Sequence, residues 1–142
     1  MSEPLAQLKA TLKTHRQSLT NARQVVFNAM QGEEPLTMHE LVKACGEQLD
    51  RASVYRTIAL YEKLGIVQRL QIGWKYKLEL SDRFSHHHHH LTCTGCGITI
   101  PLPEDQRLES RLHELSEDLH FKPEDHQIEV RGLCATCQSR TN

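Results

Sequence analysis

The sequence predicts an α+β chain in two parts, and three patterns carry that prediction. Up to Leu64, apolar side chains recur at spacings of three and four, the period of helices packed on one face. From Gly65 to Leu80 the period falls to two around a glycine, as in a β-hairpin. Beyond it, five consecutive histidines, His86 to His90, lead into Cys93-Thr94-Gly95-Cys96, and Cys134-Ala135-Thr136-Cys137 follows near the C-terminus. Helices followed by a two-stranded wing describe a winged helix-turn-helix. The remainder reads as a small α/β unit closed by a four-cysteine zinc site. The expected division is 1–80 for the winged helix, 81–85 for a short polar hinge and 86–142 for the metal-binding unit.

A first short helix over 4–14 places Leu5, Leu8 and Leu12 on one side. Thr20 is the expected N-cap of a second helix carrying Val25, Val26, Phe27 and Met30, ended by Gly32. Thr37 caps a third helix, with Glu40 three residues on to complete a capping box, and Leu41, Val42 and Leu49 as its apolar contacts. A fourth helix runs from about Asp50 to Leu64, buries Val54, Ile58 and Tyr61, and stops at Gly65. The hairpin strands follow, over 66–70 and 74–80, with the turn at Ile72-Gly73.

In a winged helix the helix before the wing enters the major groove with its N-terminal residues on base edges. Arg51 and Arg56 could serve phosphates or guanine there, and Tyr55 could pack on thymine methyls. Ser53 lies in the same first turns. The alternative is an ordinary helical subdomain with surface arginines, which the helical pattern alone supports about equally.

In the second part, residues 97–100 are expected to continue the cysteine-bearing strand until Pro101 and Pro103 interrupt it. Residues 104–120 form an amphipathic helix whose Leu108, Leu112, Leu115 and Leu119 read as core. Residues 126–131 alternate as a strand, and the last five residues read as a frayed tail. An exposed strand edge would allow pairing with a second copy.

Charge is unevenly spread. Residues 1–83 hold 12 Lys+Arg against 9 Asp+Glu, a net of +3, and residues 84–142 hold 5 against 9, a net of −4. A basic first half and an acidic second half fit nucleic acid on one side and metal or a partner on the other. No apolar run approaches the roughly 20 residues that span a bilayer, and the N-terminus lacks a signal-peptide pattern, so a cytoplasmic protein without membrane contact is expected.

Two metal functions are separable. Cys93, Cys96, Cys134 and Cys137 can supply a closed tetrahedral site for structural Zn2+. Two disulfides are the competing reading, disfavoured in a reducing compartment. The fifth cysteine, Cys45, reads as a small buried apolar residue. The histidine run is not at a terminus, unlike a purification tag, and patterned sequence follows it. If it is extended, His87 and His89 face one way and His86, His88 and His90 the other, so one run can feed two sites. Glu79, Glu109 and His126 are candidate further ligands, and such His/Glu sites suit Zn2+, Fe2+ or Mn2+.

With these residues placed, the chain resembles the ferric uptake regulator (Fur) family of bacterial metal-sensing repressors over nearly its whole length. The most specific stretches are Ala52-Ser53-Val54-Tyr55-Arg56-Thr57, the run from His86 to Cys96, and Gly132-Leu133-Cys134-Ala135-Thr136-Cys137. The resemblance implies a cytoplasmic homodimer with a C-terminal α/β dimerisation domain, binding AT-rich palindromic double-stranded operators when its regulatory metal is loaded. It implies that Cys93, Cys96, Cys134 and Cys137 hold structural zinc. By the same resemblance Glu79, His88 and His90 belong to the regulatory site, and His87, His89, Glu109 and His126 to an additional one. Tyr55 and Arg56 match the family's base-contacting pair.

The chain departs from the family pattern in places. Pro35 stands where iron and peroxide sensors place a histidine, and Glu79 where zinc sensors tend to carry cysteine. A fourth regulatory ligand is therefore unassigned, with Gln68, His39 and His86 as candidates. Pro101 replaces the aspartate of peroxide sensors, and Ser18 a lysine that reaches the minor groove, with Arg16 as a possible substitute. An enzyme is the main competing class, but the sequence carries no nucleophile motif or glycine-rich phosphate loop. A metal buffer or metallochaperone would not need the winged helix.

Overall fold

The computed structural model describes residues 1–72 and 75–140. It divides into two compact units, Met1–His86 and His87–Asn142. Gly73 of the predicted turn and Trp74, the expected start of the second hairpin strand, lie outside the described residues, as do Thr141 and Asn142 of the tail.

The first unit holds four helices and a hairpin: α1 (Glu3–Thr14), α2 (Asn21–Ala29), α3 (Met38–Cys45), α4 (Arg51–Lys63), β1 (Val67–Ile72) and β2 (Lys75–Leu80). Local chemistry sets the helix starts. Thr20 Oγ1 accepts from the Arg23 amide at 3.3 Å, and Asp50 Oδ1 from the Ser53 amide at 2.6 Å. Thr37 and Glu40 form the reciprocal capping box, with Thr37 Oγ1 taking the Glu40 amide and Glu40 Oε2 taking the Thr37 amide. Helix α3 ends earlier than expected. A 3₁₀ turn, Gly46–Gln48, separates it from half-buried Leu49. Gly65 stops α4 at φ 68°, a left-handed conformation that glycine adopts without Cβ strain.

One core joins these elements. Leu8 and Leu12 of α1, Phe27 of α2 and Leu41 of α3 close on Val54, Ile58 and Tyr61 of α4. Tyr61 is fully buried, and its hydroxyl donates to the Arg23 carbonyl at 2.7 Å, linking α4 to α2. β1 and β2 pair antiparallel, and Leu36 adds one more rung by exchanging backbone bonds with Leu78. Burial of Val54, Ile58 and Tyr61 leaves Arg51, Ala52, Tyr55 and Arg56 exposed at the start of α4.

The segment 81–85 differs from a purely polar connector. Phe84 is buried, edge-to-face against Phe27 with ring centroids 5.8 Å apart. The Ser81 amide donates to Ile66 O at 2.9 Å and its hydroxyl to Gly65 O at 2.8 Å. An aromatic in a polar stretch found core because the α2 surface beneath it is apolar.

The second unit holds β3 (His88–Cys93), β4 (Thr99–Pro103), α5 (Gln106–Asp118), β5 (Glu129–Gly132) and α6 (Ala135–Arg140). Its sheet has the order β4-β3-β5, with β4 antiparallel and β5 parallel to the central strand. Four expectations change here. The chain turns after Cys93 and returns as β4, and this strand includes both Pro101 and Pro103, which an edge strand tolerates. The last strand starts at Glu129 instead of His126. Residues of the expected tail are helical in α6, anchored by buried Cys137. The leucine stripe of α5 is not core: Leu108 and Leu112 are half-buried, while Leu115 and Leu119 are 44% and 79% exposed.

Truncating Phe84 removes a buried aromatic and leaves a void against Phe27, a loss of about 2–4 kcal/mol. Phe84→Ala is therefore expected to lower the urea midpoint of the zinc-loaded protein, followed by circular dichroism, with Phe84→Leu recovering most of it. An unchanged midpoint would mean that the segment is as loosely held as its polar composition suggests.

Candidate metal centres and recognition helix

The four cysteines converge. Cys93 ends β3, Cys96 follows the knuckle turn, and Cys134 and Cys137 enter from the end of β5 and from α6. Their four sulfurs lie within 4.8 Å of one another, with Cys96 Sγ and Cys134 Sγ 3.8 Å apart. Cys93 Sγ accepts backbone amides from Gly95 (3.3 Å), Cys96 (3.5 Å) and Cys134 (3.3 Å). The bonds from the Cys134 and Cys96 amides, with Gly95 behind them, hold the Cys93 thiol down to about 6. The neighbouring sulfurs of Cys134, Cys93 and Cys96 push Cys137 up to about 12. Four sulfurs this close cannot all be anionic alone, and a divalent cation resolves that conflict. This donor set fits closed tetrahedral zinc. Cys45 is fully buried in the first unit, where burial pushes its thiol up.

The pleat of β3 sorts the histidines. His87, His89 and His126 all direct Nε2 at the Glu109 carboxylate of α5. The separations are 3.4 Å and 2.6 Å to Oε1 for His87 and His89, and 2.8 Å to Oε2 for His126. His87 Nε2 and His126 Nε2 are 3.2 Å apart. Partial burial pushes Glu109 up, but the His89 hydrogen bond and the charges of His126, His87 and His89 outweigh it and hold the carboxyl below its usual range. His89 is 1% exposed, and among the described residues its Nδ1 has no hydrogen-bond partner. Three imidazole nitrogens and a carboxylate facing one point are a donor set that could hold a borderline divalent ion.

On the other parity, His88 and His90 pack edge to face with ring centroids 4.7 Å apart, and His90 is buried. In the first unit Glu79 sits on β2 opposite Gln68 of β1, and the Gln68 amide donates to Glu79 Oε1 at 2.8 Å. His39 is exposed on α3, and His86 ends the first unit.

The exposed start of α4 carries two side-chain pairs. Arg51 Nη2 donates to the Tyr55 hydroxyl at 3.1 Å, its guanidinium 5.3 Å from the ring centroid, and Arg56 Nη2 donates to Ser53 Oγ at 3.2 Å. Two arginines are instead used internally. Arg23 holds the α1–α2 connection through Ser18 O and Gln17 Oε1, and Arg69 pairs with Glu62 under Tyr76. Their internal role could not be read from residue type. Arg16, exposed, sits just past α1.

Comparison with known proteins agrees with this picture. The profile of the ferric uptake regulator family matches residues 15–131. The ferric uptake regulation protein of Synechococcus elongatus is 30% identical over 147 residues, 97% of each chain, and that of Legionella pneumophila 36% over 94 residues, 66% of this chain and 67% of that one. The crystal structure of the Vibrio cholerae ferric uptake regulator superposes with a TM-score of 0.71 at 28% identity, covering 89% of this chain and 98% of that one. The Helicobacter pylori regulator has the same fold, with a TM-score of 0.77 at 22% identity over 95% and 91% of the two chains. Members of this family are DNA-binding dimers and regulators, not enzymes. The chain belongs to the ferric uptake regulator family of metal-responsive transcriptional repressors of metal-uptake genes.

Proposed function

We propose that Cys93, Cys96, Cys134 and Cys137 hold structural Zn2+ and that Glu79, His88 and His90 are the regulatory ligands. His87, His89, Glu109 and His126 hold a further ion. The regulatory ion is Zn2+ or Fe2+, with Mn2+ as the third candidate. The observation that carries this reading is the division of one histidine strand into two sets, His87 with His89 around Glu109 and His126, and His88 edge to face with His90. Gln68, already bonded to Glu79, is the side chain best placed to orient that carboxylate.

Ligation by residues of both units limits the freedom of the hinge, which we place at 81–85, near the end of the first unit. Phe84, held in the first unit, shortens what is left to pivot. The two recognition helices of a homodimer can then meet successive major grooves of an AT-rich palindromic operator. Arg51, Ser53, Tyr55 and Arg56 line that approach. The ligated state is favoured only by its differential affinity for the ion. No described helix is long and apolar enough to cross a membrane, and we place the protein in the cytoplasm, as in its family.

Fluorescence anisotropy on an AT-rich palindromic duplex, at fixed salt, is expected to show binding with added zinc or manganese and none with chelator. The metal acting at the lower free concentration identifies the subclass. His88→Ala combined with His90→Ala should remain dimeric by sedimentation yet lose metal-dependent binding; a double variant that still responds fully would remove these residues from the site.

Zinc retention should also depend on pH in one direction. The Cys93 thiol, held near 6 when folded and near 8.5 when unfolded, contributes stability above its unfolded value and loses it as pH falls through about 6. Protons compete with the ion for the thiolates, so zinc release, followed with a chromogenic chelator, is expected to increase as pH falls. Cys93→Ser should release it near neutrality.

A further inference from the structure

Glu79 stands in a row that crosses three backbone segments of the first unit. On one side the β1–β2 ladder sets it opposite Gln68. On the other, Leu36 and Leu78 exchange backbone bonds at 2.9 Å and 2.6 Å, and one step along each segment brings Pro35 beside Glu79. Side chains directly opposite across a ladder share a face. Glu79 is thus flanked by the buried ring of Pro35, which carries no side-chain donor and no metal-binding atom, and by the carboxamide of half-buried Gln68.

Gln68 Nε2 donates to Glu79 Oε1 at 2.8 Å. The charge of the carboxylate fixes that orientation. Turned over, the carboxamide would set its own oxygen against a carboxylate oxygen, two acceptors with no proton between them. The amide end that faces Glu79 has no lone pair to offer an ion, so Gln68 does not ligate from there. Glu79 is only 8% exposed, so little water competes for the bond, and a hydrogen bond to a charged group is one of the stronger kind. One carboxylate oxygen is therefore committed within the first unit.

We propose that Gln68 is a positioning residue for the regulatory ion: its carboxamide makes Glu79 a ligand through Oε2 alone, and so tilts the site towards zinc and away from manganese. This rests on the regulatory reading of Glu79, His88 and His90 above and gives that site its ion preference. Those residues supply three protein donors, and one solvent molecule completes the four-coordinate shell that zinc accepts. Manganese favours six oxygen-rich donors, so it gains more than zinc from a carboxylate that chelates with both oxygens. Hydrogen-bonded partners of a ligand set about tenfold to a hundredfold of metal affinity.

The test uses the full-length, zinc-loaded protein, with added Zn2+, Mn2+ and Co2+ as probes. Each measurement is taken as the difference from the same protein carrying His88→Ala and His90→Ala, which subtracts the other histidine set. Wild-type protein should show the intense visible bands of four-coordinate cobalt. Gln68→Leu removes the donor from a half-buried strand position. It should weaken those bands and lower the ratio of zinc to manganese affinity about tenfold or more, read by competition with a fluorescent chelator. Gln68→Asn keeps the amide but ends one methylene short of Glu79, and should move bands and ratio in the same direction. Unchanged bands and ratio in both variants would overturn the proposal. So would a variant that loses zinc affinity but keeps the four-coordinate bands, since Gln68 would then itself be a ligand. The regulatory reading survives either result. A wild-type protein with no cobalt difference spectrum would instead overturn Glu79, His88 and His90 as the regulatory ligands, and the role of Gln68 with them.

Discussion

The pleat of β3 is the constraint on which the second unit depends. Six residues, His88–Cys93, lie between an antiparallel and a parallel neighbour, so the strand cannot slide without breaking both ladders. A slip of one residue would exchange the two histidine sets and carry Cys93 away from its partners. Parity thus assigns His87 and His89 to Glu109 and leaves His88 with His90. The same strand delivers Cys93, and β5, hydrogen-bonded to it, delivers Cys134.

That unit is short of apolar core. Its buried residues are largely ligands or polar groups: Cys93, Cys137, His89, His90, Thr92 and Thr99. None of the helix α5 residues is buried, and Leu115, Leu119, Phe121, Val130 and Leu133 are exposed. Units of this size commonly need a metal or association to supplement a small core. The opposite shifts of Cys93 and Cys137 belong to the same pattern, since the groups standing where a hydrophobic core would be are ones a cation can bring together. The exposed leucines match what a dimer-forming family requires of its second domain.

The first unit is built by ordinary packing, and its core frees one face of α4. With Val54, Ile58 and Tyr61 inward, the start of that helix is committed to solvent. Its arginines there are paired with neighbours on the same helix, Arg51 with Tyr55 and Arg56 with Ser53, which limits their rotamers. Elsewhere Arg23 and Arg69 brace loops and strands. A net charge of +3 over residues 1–83 is therefore not evenly available: some cations hold the unit together and others face outward.

Much of this was legible from local chemistry. Thr20, Thr37 with Glu40, and Asp50 cap the helices, because a side-chain oxygen three residues before an open amide needs no distant partner. The cysteines that can hold zinc and the two histidine sets follow from residue type and a period of two, also local properties. What only the tertiary structure decided depends on distant surfaces. The leucines of α5 have a clear helical period, but period names a face and not what covers it. Pro101 and Pro103 look like strand breakers until β4 proves to be an edge with no neighbour on one side among the described residues. Phe84 sits in a polar stretch, and its burial depends on Phe27, far away in sequence. The sequence by itself determined which groups can cap, ligate or alternate; tertiary packing decided which surfaces meet, because burial is a property of two partners and a sequence pattern describes only one.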